Sequence, residues 1–409
     1  MRAKLPLILV VSLIATSSSA MAAANNQATR ATIGLDALDR GSIPAEIRKS
    51  LPSNVVAFIN DDPRPVSALA FTPDGRTLVL AHEGGPRKGD SPGIIEVWDL
   101  SHSAPQRTAQ LDGHRDWIAS LAISPNGRIL VWGGARFDQS VHFWDLSGRK
   151  PRPAAVLAPF SHWWHVALVF SPDGKWLVTA SGSDQGPAQL WDVSAGPKDV
   201  KQGPVLPGPA WGISTMAYSH DGRFLAAALG SGHQHPNDGT LLVWKKGGTG
   251  YELVSKTEGK AHEISSLAFS PADDALVTGY AGGGLRMWDF ADGAIKEKTS
   301  LRDEGNPLRV VAFLPSGGRL FSARNDGTVD EWDDKVGKDQ QWKLGESLTS
   351  MATAPHQPYL AVGLSDGQTM ILHMPSMAPD AVGAGDDHRA SPCTLKDAGP
   401  TSTLKPDSR

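Results

Sequence analysis

Six tryptophans, Trp98, Trp144, Trp191, Trp244, Trp288 and Trp332, follow one another at spacings of 46, 47, 53, 44 and 44 residues. A recurrence of that length is the mark of one supersecondary unit repeated along the chain, and such units must stack because none can bury its own faces. A seventh copy lacks the indole: Asp366-Gly367-Gln368-Thr369-Met370-Ile371-Leu372 aligns with Asp326-Gly327-Thr328-Val329-Asp330-Glu331-Trp332, which puts Leu372 in the Trp position 40 residues on. Each copy opens on a run of apolar and small residues, at 66–71, 118–123, 166–170, 213–218, 264–269, 308–313 and 348–353. A tight turn comes next. Thr72-Pro73-Asp74-Gly75, Ser124-Pro125-Asn126-Gly127 and Ser171-Pro172-Asp173-Gly174 combine a proline that presets φ with Asp or Asn and then Gly, as a hairpin requires. A second strand, a loop and the Trp-bearing strand complete the unit.

In the Trp strand the preceding residue is Val97, Phe143, Leu190, Val243 or Met287, and the one before it is often polar, as with Glu96, His142, Gln189 and Arg286. Side chains alternate across a strand, so both faces meet neighbours. Glu331 breaks the pattern by standing at the apolar position; a solvated edge, a paired carboxylate and a functional acid would each account for it. Composition agrees with short strands and many turns, since the 409 residues include 43 Gly and 30 Pro. A formal charge of −4 supplies no bulk attraction for nucleic acid or an anionic membrane. The single cysteine, Cys393, excludes an intrachain disulfide, a Cys-based zinc or iron–sulfur site and covalent c-type haem.

The runs Val97-Trp98-Asp99, Phe143-Trp144-Asp145, Leu190-Trp191-Asp192 and Met287-Trp288-Asp289, each closing a unit of this length, resemble WD repeats. The resemblance covers residues 66–374. It implies an all-β, seven-bladed β-propeller of four-stranded antiparallel blades, closed by an N-terminal strand at 54–59 that completes the last blade. It also implies a buried hydrogen-bonded set of His, Ser or Thr, Asp and Trp in each blade. This chain keeps the set in pieces: His114, Asp138 and Trp144 in blade 2, with Gly134 where the hydroxyl is expected; His262, Thr278 and Trp288 in blade 5; Ser322, Asp326 and Trp332 in blade 6. These are structural partners and not a catalytic triad.

In such propellers one rim gathers the loops leading into the first strand and those joining strands two and three. On that plan Trp117, Trp163, Trp164, Trp211 and His162 fall in the lead-in loops of blades 2 to 4, while Arg87, Lys88, His233 and His235 lie in second-to-third loops. Tryptophan and arginine favour interface hot spots, so the expectation is a partner protein held across the upper rim of blades 2 to 4. Some of these rings can instead plug the rim as extensions of the core. His233 and His235 project the same way on an extended chain, but spacing dictates no further ligand and no metal or cofactor is assigned. The innermost strands are nearly free of charge, with only His165 and Arg309 at their beginnings, so paired carboxylates for hydrolysis are missing and no enzyme is expected. A glycan or other small ligand stacked on Trp163 or Trp164 is the alternative, and a propeller hydrolase or lyase is the more remote one.

The ends read differently. Residues 1–22 have the form of an export signal: Arg2 and Lys4, an apolar stretch from Leu5 to Ile14, and Ala20-Met21-Ala22 as cleavage site. Such a stretch is too short for the roughly 20 residues a membrane span needs. A periplasmic or extracellular protein is therefore expected, with an extension at 23–53 that includes a short helix, the propeller at 54–374, and a disordered tail at 375–409.

Overall fold

The computed structural model describes residues 35–84, 92–112, 117–134, 140–158, 166–182, 187–208, 212–230, 239–248, 250–257, 263–301, 306–315, 319–332 and 338–374. The proposed signal, the first part of the extension and the tail lie outside them. Among the described residues twenty-eight strands form seven four-stranded antiparallel sheets. The innermost strands are Val66–Phe71, Ile118–Ile123, Val166–Phe170, Ile213–Tyr218, Ile264–Phe269, Leu308–Phe313 and Leu348–Thr353. Each packs against the innermost strand of the next blade, and the seventh packs against the first, so the sheets close into a ring. Blade 7 draws on both ends of the propeller: its order is Leu348–Thr353, Tyr359–Leu364, Thr369–His373 and then the N-terminal strand Val55–Ile59.

The core consists of layers between blades. Opposite every repeat tryptophan, on the second strand, stands a leucine: Leu78 faces Trp98, Leu130 faces Trp144, and Leu177 faces Trp191. Blade 7 keeps the rule without the indole, since Leu360 faces Leu372. Alternation then divides the two faces of the third strand between two joints. Trp191 packs into the joint of blades 2 and 3 while Leu190 enters that of blades 3 and 4. Trp288 and Met287 repeat this one and two joints further on. Glu331 occupies the Met287 position and is 2% exposed, its carboxylate ion-paired with Arg319, whose guanidinium lies 5.5 Å from the centre of the Phe321 ring. It is a paired carboxylate within the joint of blades 6 and 7.

The first hairpin turns carry the strain expected of them. Gly75, Gly127, Gly174 and Gly222 all sit at φ of 67 to 71°, where a Cβ is disfavoured. In blade 5 Asp273 takes the left-handed conformation instead, with φ of 56°, and its carboxylate accepts the backbone N–H groups of His220 and Asp221 in the turn of blade 4.

Residues 35–53 fold onto the ring. Leu35 is buried in the joint of blades 7 and 1, and Ile43 in the layer between blades 6 and 7. The short helix Ala45–Arg48 lies between them and the closing strand. Arg40 holds this segment together by donating to the carbonyls of Pro52 and Val55 at 2.5 Å and of Arg48 and Leu51 at 3.1 Å.

Candidate site at the channel mouth

The repeat tryptophans stand on the third strands of their blades, and their indole N–H groups do not all follow one scheme. Trp191, Trp288 and Trp332 donate to Thr179, Thr278 and Ser322 at 2.9, 3.0 and 2.9 Å. Those hydroxyls sit at matching places in the second strand, where blade 1 has Leu80 and blade 4 has Ala227. Trp98 donates instead to Glu96 at 3.0 Å, and Trp244 to the carbonyl of Pro207 at 2.7 Å. In blade 2 the register puts Trp132, not Gly134, at the hydroxyl position. Its ring is fully buried and lies 5.4 Å from Trp144 and 5.7 Å from His142. Asp326 does not join the buried set of blade 6. It stands exposed in a turn, bonded to Lys343 at 2.8 Å and to the Thr328 backbone, and these partners hold its carboxyl well below the usual range although partial burial opposes them. His114, Asp138 and His262 lie outside the described residues, as do His162, Trp163, Trp164, His165, Trp211, Arg87, Lys88, His233 and His235. Of the expected rim residues Trp117 alone is described, and it is half-buried.

Trp117 directly precedes the innermost strand of blade 2, the place that carries a repeated construction in other blades. In blades 1, 4, 5, 6 and 7 the residue before the innermost strand accepts, through its carbonyl, the N–H of the residue after the second strand. The rung is Glu83 to Pro65 at 3.0 Å in blade 1, Ala281 to Glu263 at 2.9 Å in blade 5, Asn325 to Pro307 at 3.0 Å in blade 6 and Ser365 to Ser347 at 2.9 Å in blade 7. Six innermost strands then bulge at their second residue. The bulge hydroxyls latch blades together: Ser214 donates to the Ile264 carbonyl at 3.0 Å, Ser265 to Leu308 at 2.7 Å and Thr349 to Val66 at 2.6 Å.

Arg309 takes the bulge position of blade 6 and is the one charged residue on the innermost strands. Its Nε and Nη2 donate to Asn325 Oδ1 at 3.1 and 2.9 Å, and Ser347 from blade 7 donates to the same oxygen at 3.1 Å. Burial lowers the Arg309 pKa, while the charge of Glu83 opposes that. Glu83 is half-buried one residue beyond the second strand of blade 1. Burial pushes its carboxyl up to about 7, against the attraction of Arg309. Sequence reasoning passed over Glu83 because it opens what reads as a loop; its place one residue beyond the second strand, as with Asn325, is the signal that finds it.

Among the described residues no group of three or more His, Cys, Asp or Glu is placed to hold a metal ion, and no helix is long and apolar enough to cross a membrane. The sequence pattern of the family described as "WD domain, G-beta repeat" matches residues 105–145, 157–192, 201–245 and 252–289. Three of the four matches, at 105–145, 201–245 and 252–289, run from the outer strand of one blade through three strands of the next, and the match at 157–192 covers three strands of blade 3. The chain is similar to autophagy-related protein 16 of Arabidopsis thaliana, with 25% identity over 266 residues, 64% of this chain and 46% of that protein. It is similar to the target of rapamycin complex subunit LST8 of Rattus norvegicus, with 26% identity over 251 residues, 59% of this chain and 68% of the subunit. To the serine-threonine kinase receptor-associated protein of Gallus gallus it shows 27% identity over 309 residues, 67% of this chain and 81% of that one. The match thus spans less than half of the Arabidopsis relative's length.

Proposed function

We propose, since four matched repeats and seven closed blades support a WD-repeat β-propeller, that this chain is a non-enzymatic protein-interaction scaffold. Relatives named as a complex subunit and as a receptor-associated protein support the class. One observation carries the reading: the channel strands hold Ser, Thr, Ala, Met, aliphatic and aromatic residues with Arg309 as their only charge, so these strands supply no acid and base pair of the kind general acid–base catalysis requires. Chemistry is thereby left to rim loops. The partner is another protein, neither nucleic acid nor membrane, and it docks on the upper rim of blades 2 to 4 through Trp117, Trp163, Trp164 and Trp211. The export-type start at residues 1–22 supports a site of action in the cell envelope or outside it.

Proximity crosslinking in the native envelope fraction tests this reading. Replacing the four tryptophans by Ala, in a variant that keeps its melting transition, should remove one protein from the captured set. An unchanged set moves the contact off that rim. An empty set for the unaltered chain, with a hit on a glycan array, replaces the scaffold by a carbohydrate-binding propeller.

A further inference from the structure

Four blades build the turn after the innermost strand from the same hydrogen bonds. In blade 2 the Ser124 hydroxyl donates to Asn126 Oδ1 at 2.7 Å, the same oxygen accepts the Arg128 N–H at 3.0 Å, and the Gly127 N–H donates to the Ser124 carbonyl at 2.8 Å. Blades 1, 3 and 4 repeat these bonds around an aspartate. Asp74 accepts from the Thr72 hydroxyl at 2.6 Å and the Arg76 N–H at 3.1 Å, Asp173 from Ser171 at 2.5 Å and Lys175 at 3.1 Å, and Asp221 from Ser219 at 2.7 Å and Arg223 at 2.9 Å. The glycine that follows stands at φ of 67 to 71° in all four. Of these blades, blade 2 alone holds a carboxamide where the others hold a carboxyl, and Asn126-Gly127 is the one Asn-Gly pair in the chain.

We propose that Asn126 is a deamidation site that reacts when the blade 2 turn opens, and whose aspartyl product the closed turn accepts. The reaction needs only water. The Gly127 backbone nitrogen, having lost its proton, attacks Asn126 Cγ; the Cγ–Nδ2 bond breaks, ammonia carries the proton away, and a five-membered succinimide is left. Water then opens the ring at one of its two carbonyls, giving an aspartyl or an isoaspartyl residue at position 126. Glycine speeds the attack because no Cβ shields its nitrogen. In the closed turn both reactants are tied: the Gly127 N–H is bonded to the Ser124 carbonyl and Oδ1 is held from two sides, so Cγ cannot swing onto that nitrogen without breaking three hydrogen bonds. Exchanging the amide NH2 for oxygen leaves the accepting oxygen in place, as in the turns of Asp74, Asp173 and Asp221. Burial raises the carboxyls of Asp173 and Asp221, yet the turn hydroxyl, the backbone N–H and a neighbouring cation outweigh it and leave both below the usual range, so such a turn favours the charged product. The isoaspartyl product differs, because its extra backbone carbon lengthens the loop between Ser124 N–H and the Ile129 carbonyl, which pair at 2.9 Å between two fully buried strands. Conversion therefore marks each chain whose blade 2 has opened, and leaves a negative charge in an exposed turn.

The full chain, incubated in mildly alkaline buffer in its folded state and in parallel in guanidinium chloride, tests this. The proteolytic peptide that contains Asn126 is followed by mass, and electron-transfer fragmentation separates its aspartyl from its isoaspartyl form. Conversion should be at least about tenfold slower in the folded chain, because it waits on opening of the turn. After the denatured sample is returned to native buffer, the folded fraction should be enriched in the aspartyl form and the misfolded fraction in the isoaspartyl form. Asn126→Asp should fold with a melting midpoint no lower than the parent's. Equal rates in the two states overturn the proposal, since the closed turn would then protect nothing. So does a lower midpoint for Asn126→Asp, and so does an isoaspartyl share in the refolded fraction as large as before refolding. None of these readouts involves the upper rim, so their failure leaves the scaffold reading standing.

Discussion

The Trp288 indole shows how much rests on one side chain. It is 6% exposed, packs between blades 4 and 5, and donates to Thr278, which itself donates to Tyr280. Trp288→Ala should cost about 3 to 5 kcal/mol in chemical denaturation, because a cavity is left and the Thr278 hydroxyl loses its indole donor; a midpoint equal to the parent's would contradict its core position. The Arg319–Glu331 pair makes a second prediction. Arg319→Leu should destabilise by about 3 kcal/mol by removing the guanidinium that the buried carboxylate faces, and adding Glu331→Leu should recover most of the loss. Equal cost in single and double variants would show that the pair is not what holds the joint. At this scale the sequence was legible for repeat positions and less so for their partners. A slip of two residues keeps every side chain on its face, so alternation alone cannot tell Trp132 from Gly134 as the residue at the hydroxyl position of blade 2. Asp326 likewise fits a motif by sequence while its turn directs it outward to Lys343.

Among elements, the second, third and outer strands of blade 1 share a buried polar node. Glu96 is fully buried and takes hydrogen bonds from Trp98 and from Arg107 at 2.7 Å, with the His82 imidazole at 3.5 Å; Arg107 also reaches Asp61 in the segment linking the closing strand to blade 1. Blade 6 repeats the arrangement with Arg324, Asp330 and Gln341. Burial alone would raise the Glu96 pKa, but its donors outweigh that and hold it below the ordinary carboxylate range. The folded state therefore binds this proton less readily than the unfolded chain, and the stabilisation is present above the unfolded pKa near 4.3 and lost as pH falls through the folded value. Stability measured from pH 6 downward should fall on this account, and the fall should be shallower in Glu96→Gln, which starts from a lower value. Identical acid limbs would remove Glu96 from the linkage. The innermost runs were readable because each is a stretch of apolar and small residues, ended in blades 1 to 3 by a proline–glycine turn. The node was not, since Glu96, His82 and Arg107 are separated in sequence and meet only through register.

For the whole molecule, closure is the decisive contact. The strand Val55–Ile59 pairs with Thr369–His373 through Val55 with Leu372, Ala57 with Ile371, Phe58 with Met370 and Ile59 with Thr369. A chain starting at residue 61 should leave the third strand of blade 7 as an open edge and aggregate. Adding a synthetic peptide of residues 53–60 should restore a monomeric, cooperatively melting protein by completing the sheet in trans. A truncated chain that is already monomeric and cooperative would show that the ring does not depend on the strand. The staggered repeats make the same point internally, because the matched units at 105–145, 201–245 and 252–289 each contribute strands to two blades.

The antiparallel pairing in blade 7 also decides how the protein bears a load. Val55 and Leu372 are partners at one end of the ladder, so a force pulling the two chain ends apart falls first on that pair and opens the rungs one after another, like a zip, rather than shearing them together. The segment anchored by Leu35, Arg40 and Ile43 lies ahead of the zip and must be peeled away before tension reaches it. A propeller tethered at one end and pulled at the other would thus yield in two steps at low force, first the segment and then the seam. Pulled across two interior blades it would resist far more.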